Sequence, residues 1–513
     1  MANTIPISRS QLIFAICLPL AVLIGYVLAE PMESPSVAVI FLVVAVLSVP
    51  LLMKWHHPML VICWNLMLDP AFLPGRPQLW MVMSAVSLFF TLLNRAVANN
   101  HQFNFSPSLT RALLFFTLVV VVTAALTGGV GFNVFGNSQY GGRKYAYLVA
   151  GIIGFFALSA PRIPPERAGM YVAMFFLSGL TGAVSDLAVL AGPKFYFLLD
   201  YFPAELGENQ AETAGQLGIS IVRYTGLAIS VPAIYSYLLA RYGVRGVLDW
   251  RHPWRLLLLL AALYVGMLGG FRSTIILFVL VFGAVFVLEG LHRTWYVGVV
   301  IAFAALIGTL TVANLSRLPL SVQRTLSFLP INVDPVVRQS ATVSSEWRVE
   351  LWKIVLPDVP KYLLKGKGYN IDPGDLFMAN DAAERGWGNT EVAILAGDYH
   401  SGPLSVIIPF GFFGAIGFLW FLFAALRVMY YNYLHGNPDL RRVNAFLLAS
   451  FIGKLVFFFA VFGSLFSDLA LFTGLAGLSV SLNGDQWGCR KLRETVVTSP
   501  HSWHTGMRLR QAD

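Results

Sequence analysis

Charge is what this sequence has least of. Only 12% of its 513 residues are Asp, Glu, Lys or Arg, against 57% hydrophobic, and its mean hydropathy is +0.69. A water-soluble globule of that length cannot cover so much apolar surface with so few charges, so that class is excluded. Cysteine is nearly absent. Cys17, Cys63 and Cys489 form no Cys-x-x-Cys and no pair in one outer segment, which argues against a disulfide framework or structural zinc. There is no Asp-x-Asp pair, Walker A loop, His-Glu-x-x-His or Rossmann glycine pattern. A metal-held nucleotide sugar, ATP coupling and zinc catalysis therefore have no visible residue support, and neither metal nor cofactor is expected. Alternating strands of about ten residues are missing too, which removes a transmembrane barrel.

What the chain has is apolar runs. Runs near the ~20 residues of helix needed to cross a bilayer recur from Gln11 to Leu482. Candidate spans fall at 11–29, 36–53, 57–74, 78–94, 112–128, 144–160, 168–191, 212–240, 254–270, 273–290, 295–314, 401–426, 441–460 and 464–482. The expected fold class is an all-α polytopic membrane protein with about 12–14 transmembrane helices. The first run follows one early cation, Arg9, and ends on a poor small-x-small site, Val27-Leu28-Ala29. An uncleaved helix is expected there rather than a signal peptide.

The net charge of +9 is spread over the connections between runs instead of striping one face. It reads as a topology signal, with no nucleic-acid partner expected. An even number of spans puts both termini on one side. With the N-terminus in the cytoplasm, the cytoplasmic segments collect Lys54, Arg95, Arg111, Arg241, Arg245, Arg251, Arg255, Arg427, Arg441, Arg442 and a basic tail. The short outer loops hold only Arg76, Arg143, Lys144 and Lys194 apart from the site candidates. Trp80, Trp250, Trp254 and Trp295 fall at span ends, as interfacial aromatics do. Four segments result: a helix bundle over 1–314, a large outer loop over 315–399, further spans over 400–482, and a basic cytoplasmic tail over 483–513. Within the loop, Ser344-Ser345-Glu346 opens an amphipathic stretch ending at Pro357, which predicts a short helix at the membrane surface. Gly366-Lys367-Gly368-Tyr369 and Asp372-Pro373-Gly374-Asp375 read as turns.

This threading brings Arg223, Arg272, Arg348 and His400 to the outer face, where cations are not needed for topology. Such a set suits a polyanionic ligand. Each residue has a plainer alternative. Arg223 could snorkel to the interface, and Arg348 could pair with Glu346 or Glu350. His400 could cap its helix. Arg272 sits at the tip of a hairpin too short for a solvated loop, so its guanidinium needs carbonyls, a carboxylate or a phosphate. Of the ionisable residues inside spans, Lys454 and Asp468 flank one outer turn at similar depth and are expected to pair. Asp186 is a candidate to orient Arg223. Glu30 and Glu33, in the first outer loop of this threading, read as solvated charges.

These residues resemble a known family. Arg223-x3-Leu227, the hairpin-tip Arg272, Arg348-x2-Leu351-Trp352 followed by Gly366-x-Gly368, and His400-Ser401-x9-Gly411-x2-Gly414 occur in the order found in the O-antigen ligase and polymerase family. The resemblance covers about Glu212 to Gly417. Ala415-Ile416 stands where ligases commonly have Thr-Val, leaving ligase or polymerase open. The resemblance implies a GT-C-like helical fold in the bacterial inner membrane, with a site facing the periplasm. It implies metal-independent, inverting transfer of a glycan from an undecaprenyl-diphosphate-linked donor to a lipid or glycan acceptor. On this carry-over Arg223 and Arg272 clamp the diphosphate, with Arg272 stabilising the leaving group, His400 is the base and Arg348 is an auxiliary cation; Asp186 joins the substrate-binding set through its expected contact with Arg223, not through the resemblance. A lipid-linked oligosaccharide flippase or secondary transporter is the rival from another class. A protein O-oligosaccharyltransferase differs only in its acceptor.

Overall fold

The computed structural model describes residues 34–97 (less 72 and 74), 104, 106–129, 142–204, 206, 221–371, 374, 377, 381 and 389–484, with isolated positions between 18 and 25. It divides into two units, 1–56 and 57–513. In the first, the described residues belong mainly to helix α1 (Ser34–Cys63), which runs on past the boundary. The second unit holds the rest: α2 (Leu79–Val97), α3 (Pro107–Thr127), α4 (Gly142–Ser159), α5 (Ala168–Leu177), α6 (Ala183–Ala191), α7 (Thr225–Val247), α8 (Pro253–Met267), α9 (Arg272–Leu288), α10 (Tyr296–Ala313), α11 (Leu320–Leu326), α12 (Pro335–Val355), α13 (Val359–Tyr362), α14 (Asn389–Ala396), α15 (Gly402–His435), α16 (Arg441–Ala460) and α17 (Leu465–Asn483). No strand occurs among the described residues. Nine helices there are long and apolar enough to cross a membrane, and α8 and α9 are shorter apolar helices. The chain is a multi-pass helical membrane protein.

Several boundaries differ from the sequence expectation, each for a local reason. The spans drawn at 36–53 and 57–74 are one helix, α1, and the described residues from 64 to 78 are not helical. The polar run Lys54-Trp55-His56-His57 lowers hydropathy without breaking the backbone, and His57 Nε2 lies 3.0 Å from the Leu158 carbonyl. One helix in place of two removes the even count on which the placing of both termini on one side rested. The span drawn at 11–29 and the tail from 485 lie almost wholly outside the described residues. The helix drawn at 212–240 starts at Thr225, after the non-helical residues 221–224, and runs to Val247, while 212–220 lie outside the described residues. The loop helix expected from Ser344 starts nine residues earlier at Pro335. There Asp334 accepts from the Val336 amide at 2.9 Å, an N-cap with proline in the first turn.

In the larger unit α4 packs on α17 and α2, α15 on α3 and α16, α9 on α16, and α8 on α7. Phe418, Phe451, Phe458 and Phe472 form a connected aromatic cluster among α15, α16 and α17. Inside that packing Lys454 Nζ meets Asp468 Oδ1 at 2.8 Å, the pair expected from depth alone. Asp468 Oδ2 also accepts from the Ser464 amide at 3.0 Å. Breaking one side leaves a buried charge alone, so Lys454→Met is expected to cost about 3–5 kcal/mol. Lys454→Met with Asp468→Leu should restore much of it, because the charge and its desolvation go together. Thermal unfolding in detergent measures both, and equal losses would show that packing matters here more than charge.

Candidate functional site

The site begins at the tight turn between α8 and α9. The last carbonyls of α8 have no partner within the helix, and arginines from elsewhere take two carbonyls of the turn that follows it. Arg223 Nε donates to the Gly269 carbonyl at 2.9 Å and Arg324 Nη1 to the Gly270 carbonyl at 2.6 Å. The Tyr224 amide closes the corner on Leu268 O at 3.1 Å. The turn is tight enough that Gly270 has φ 68°, a left-handed conformation that favours glycine. A Cβ on Gly269 would stand 2.5 Å from that of Ala228. The Arg223 guanidinium also lies 4.3 Å from the Phe271 ring centre.

Arg272, the first residue of α9, points across to α12. Its Nη2 donates to Ser345 Oγ at 3.0 Å and to the Ala341 carbonyl at 3.2 Å. Arg324 Nε donates to Ser340 Oγ, one turn earlier on the same helix, at 3.1 Å. A small apolar core holds these pieces together. Ile221, Leu315, Val322, Leu326, Val333 and Val337 are buried against one another, which fixes α11 and the start of α12 beside the turn.

Arg223, Arg272 and Arg324 are thus held by backbone carbonyls and serine hydroxyls, and Arg348 lies close enough to repel Arg324. Among the described residues none of Arg223, Arg272, Arg324 and Arg348 has a carboxylate oxygen within 4.0 Å. Neither Glu346 nor Glu350 pairs with Arg348, whose Nε is buried without a hydrogen-bond partner. Burial, then repulsion from Arg223, Arg272 and Arg348, pushes the pKa of Arg324 down to about 10. Arg348 is lowered by burial and by Arg272, with Asp398 opposing. Positive charge so concentrated and so poorly compensated suits an anionic ligand.

Arg324 was not among the candidates read from sequence. It sits in α11, a helix of seven residues, within the 315–399 segment expected to be an outer loop. A cation on the side that topology does not require was the available signal, and within that segment it pointed to Arg348 alone.

Asp186 has no exposed surface. Its Oδ2 accepts from the Leu227 amide at 2.8 Å, capping the start of α7 with a carboxylate. Gly226 allows the close approach, since a Cβ there would come 2.5 Å from Ser185 Oγ. Asp186 therefore fixes the first turn of the helix that Arg223 precedes.

His400 lies on the far side of Arg348. Its backbone has φ 48°, uncommon for a residue with a side chain and costing about 1–3 kcal/mol. The surrounding structure holds it there. Trp352 Nε1 donates to the Tyr399 carbonyl at 2.9 Å, and Tyr399 is buried with Leu351, Val355, Leu404 and Ile408. The imidazole stands edge-on to Trp347 at 5.0 Å and near Phe462 at 5.2 Å. Its Nε2 is 3.6 Å from Asp398 Oδ2, while Nδ1 and Asp398 Oδ1 are buried without hydrogen-bond partners. Burial lowers the His400 pKa from 6.5, opposed by Asp398 and reinforced by Arg348. The ring is neutral at pH 7. With its proton on Nε2 toward Asp398, Nδ1 is the basic nitrogen. Lys144, from the start of α4, donates to the Ala396 carbonyl just before Asp398.

The glycines of the histidine element have a structural task. α15 breaks at Gly411, which has φ 62°. At that break the 363–368 segment docks backbone to backbone: the Phe412 amide donates to Leu363 O at 2.6 Å, Lys367 to Ile408 O at 2.8 Å and Gly368 to Pro409 O at 2.9 Å. A Cβ on Gly411 would lie 2.5 Å from Leu363 O, and one on Gly366 would collide with Pro409 O. Gly366-x-Gly368 and Gly411 are thus two halves of one contact, which holds the segment following α13 against the helix that His400 precedes.

Arg223, Arg272 and Arg348 all act on Arg324, Arg348 alone of them also acts on His400, Asp398 faces His400 and Lys144, and Asp186 caps the helix that Arg223 precedes. No group of three or more His, Cys, Asp or Glu able to hold a metal occurs among the described residues. No family model and no curated protein matches the chain.

Proposed function

We propose that this protein transfers a glycan from an undecaprenyl-diphosphate carrier to an acceptor hydroxyl, in the manner of an O-antigen ligase or polymerase. It is read as a GT-C-like protein with about 12–14 spans in the bacterial inner membrane, working at the periplasmic face. One observation carries the reading: four guanidiniums with no carboxylate partner among the described residues, one of them, Arg348, near a neutral imidazole that has its own carboxylate. Diphosphate is the ligand chemistry such a cluster suits, since several planar forks can each face phosphate oxygens.

In the reaction the acceptor oxygen attacks the anomeric carbon and the bond from that carbon to the phosphate oxygen breaks. The electron pair leaves with the diphosphate, where Arg223, Arg272, Arg324 and Arg348 stabilise the added charge. His400 takes the acceptor proton on Nδ1, and Asp398 stabilises the imidazolium that forms. Asp186 serves the donor site through the α7 start that it caps.

Purified protein in vesicles, given a lipid-linked glycan and an acceptor, tests the reading. The expected products are glycosylated acceptor and free undecaprenyl diphosphate. Transbilayer movement of an intact lipid-linked glycan, with no cleavage, would contradict transfer and support a flippase.

A further inference from the structure

The opposite end of the same helices carries a second gathering of guanidiniums. A groove of about 960 Å³ opens there, lined by Arg245, Arg251, Arg255, Arg441 and Arg442. Three carboxylates also line it, Asp249, Glu289 and Asp439, but two are committed to the backbone. Glu289 accepts from the Val244 and Arg245 amides at 3.1 Å each, beside the kink at Gly243. Asp249 accepts from the Arg251 amide at 3.1 Å and faces His252 Nδ1 at 3.0 Å. The groove is left with net positive charge.

Arg255 is held for use. Its guanidinium stacks 3.9 Å from the Tyr242 ring centre and Nη1 donates to the Gly246 carbonyl at 3.0 Å, while Nε is buried with no hydrogen-bond partner. Helix α16, of 20 residues, begins at Arg441 on the groove wall, so its N-terminal partial charge adds to the field.

The surroundings say where the anion comes from. Trp250, Trp254 and Trp295 are 84%, 48% and 65% exposed, as aromatic rings at the headgroup level are. Tyr296 lines the groove and begins α10, an apolar helix in which no residue is buried. Bare apolar helix therefore runs away from a basic groove.

We propose that this groove binds the phosphodiester headgroup of an anionic phospholipid, with the acyl chains lying along α10 and the exposed Leu257 face of α8. The site is separate from the His400 site and does not depend on the transfer reaction.

Native mass spectrometry of the full chain, released from nanodiscs of phosphatidylethanolamine and tetra-acyl diphosphatidylglycerol, tests it. The wild type is expected to retain the anionic lipid over the zwitterionic one. Arg251→Gln with Arg441→Gln, two exposed groove arginines, should weaken retention about 30-fold, and inorganic pyrophosphate should not displace the lipid. If the double variant fails to insert, Arg251→Gln alone should weaken retention about fivefold. Unchanged retention in the variants, or equal retention of both lipids, would overturn the site. Full displacement by pyrophosphate would overturn the lipid assignment in favour of a soluble phosphate.

Discussion

Arg324→Ala is expected to lower glycan transfer about 10²–10³-fold, the loss typical of one donor aimed at developing charge. Arg324 is repelled by Arg223, Arg272 and Arg348 together, which places it among all three, and it is tied to Gly270 O and Ser340 Oγ at 2.6 and 3.1 Å. Lysine would keep the charge but cannot reach both anchors with one fork, so Arg324→Lys should recover only part of the rate. Because alanine also strips a donor from the hairpin turn, Ser340→Ala serves as the comparison. It removes an anchor and keeps the guanidinium, and should cost about tenfold or less. Equal losses in Arg324→Ala and Ser340→Ala would show that the arginine acts by holding the fold.

His400→Gln is expected to lower transfer about 10²–10⁴-fold, with insertion and melting unchanged. The pH profile separates chemistry from packing. A base works when neutral, so the rate should rise with pH through the His400 pKa, which burial places below 6.5. Asp398 raises that pKa, so Asp398→Asn should move the acidic limb to lower pH as well as reducing the maximum. A histidine that only packs between Trp347 and Phe462 would give no limb that moves with Asp398.

How much of this could be read from the chain depends on the kind of signal. Apolar runs made the helical membrane class plain, and matching depth alone paired Lys454 with Asp468. Arg223, Arg272, Arg348 and His400 could be grouped because the expected topology puts them on one side and gives cations no task there. Hydropathy misled at Lys54–His57, where a polar run lies inside one continuous helix, and at Asp334-Pro335, where capping was a better guide to the start of α12 than the amphipathic stretch further on. Arg324 and Asp398 were hidden because their roles come from tertiary approach. One meets the α8–α9 turn across 54 residues of chain, and the other faces His400 only because the backbone there is held left-handed. The spacing from His400 to Gly411 could be counted in sequence, but its cause could not: a helix break that receives the 363–368 segment.

On the proposed reading the four arginines form one diphosphate site beside His400. Density for the protein with undecaprenyl diphosphate bound tests it most directly. Both phosphates are expected among Arg223, Arg272, Arg324 and Arg348, with the reacting end toward His400. Phosphates seated elsewhere, with none of those four side chains in contact with them, would contradict it.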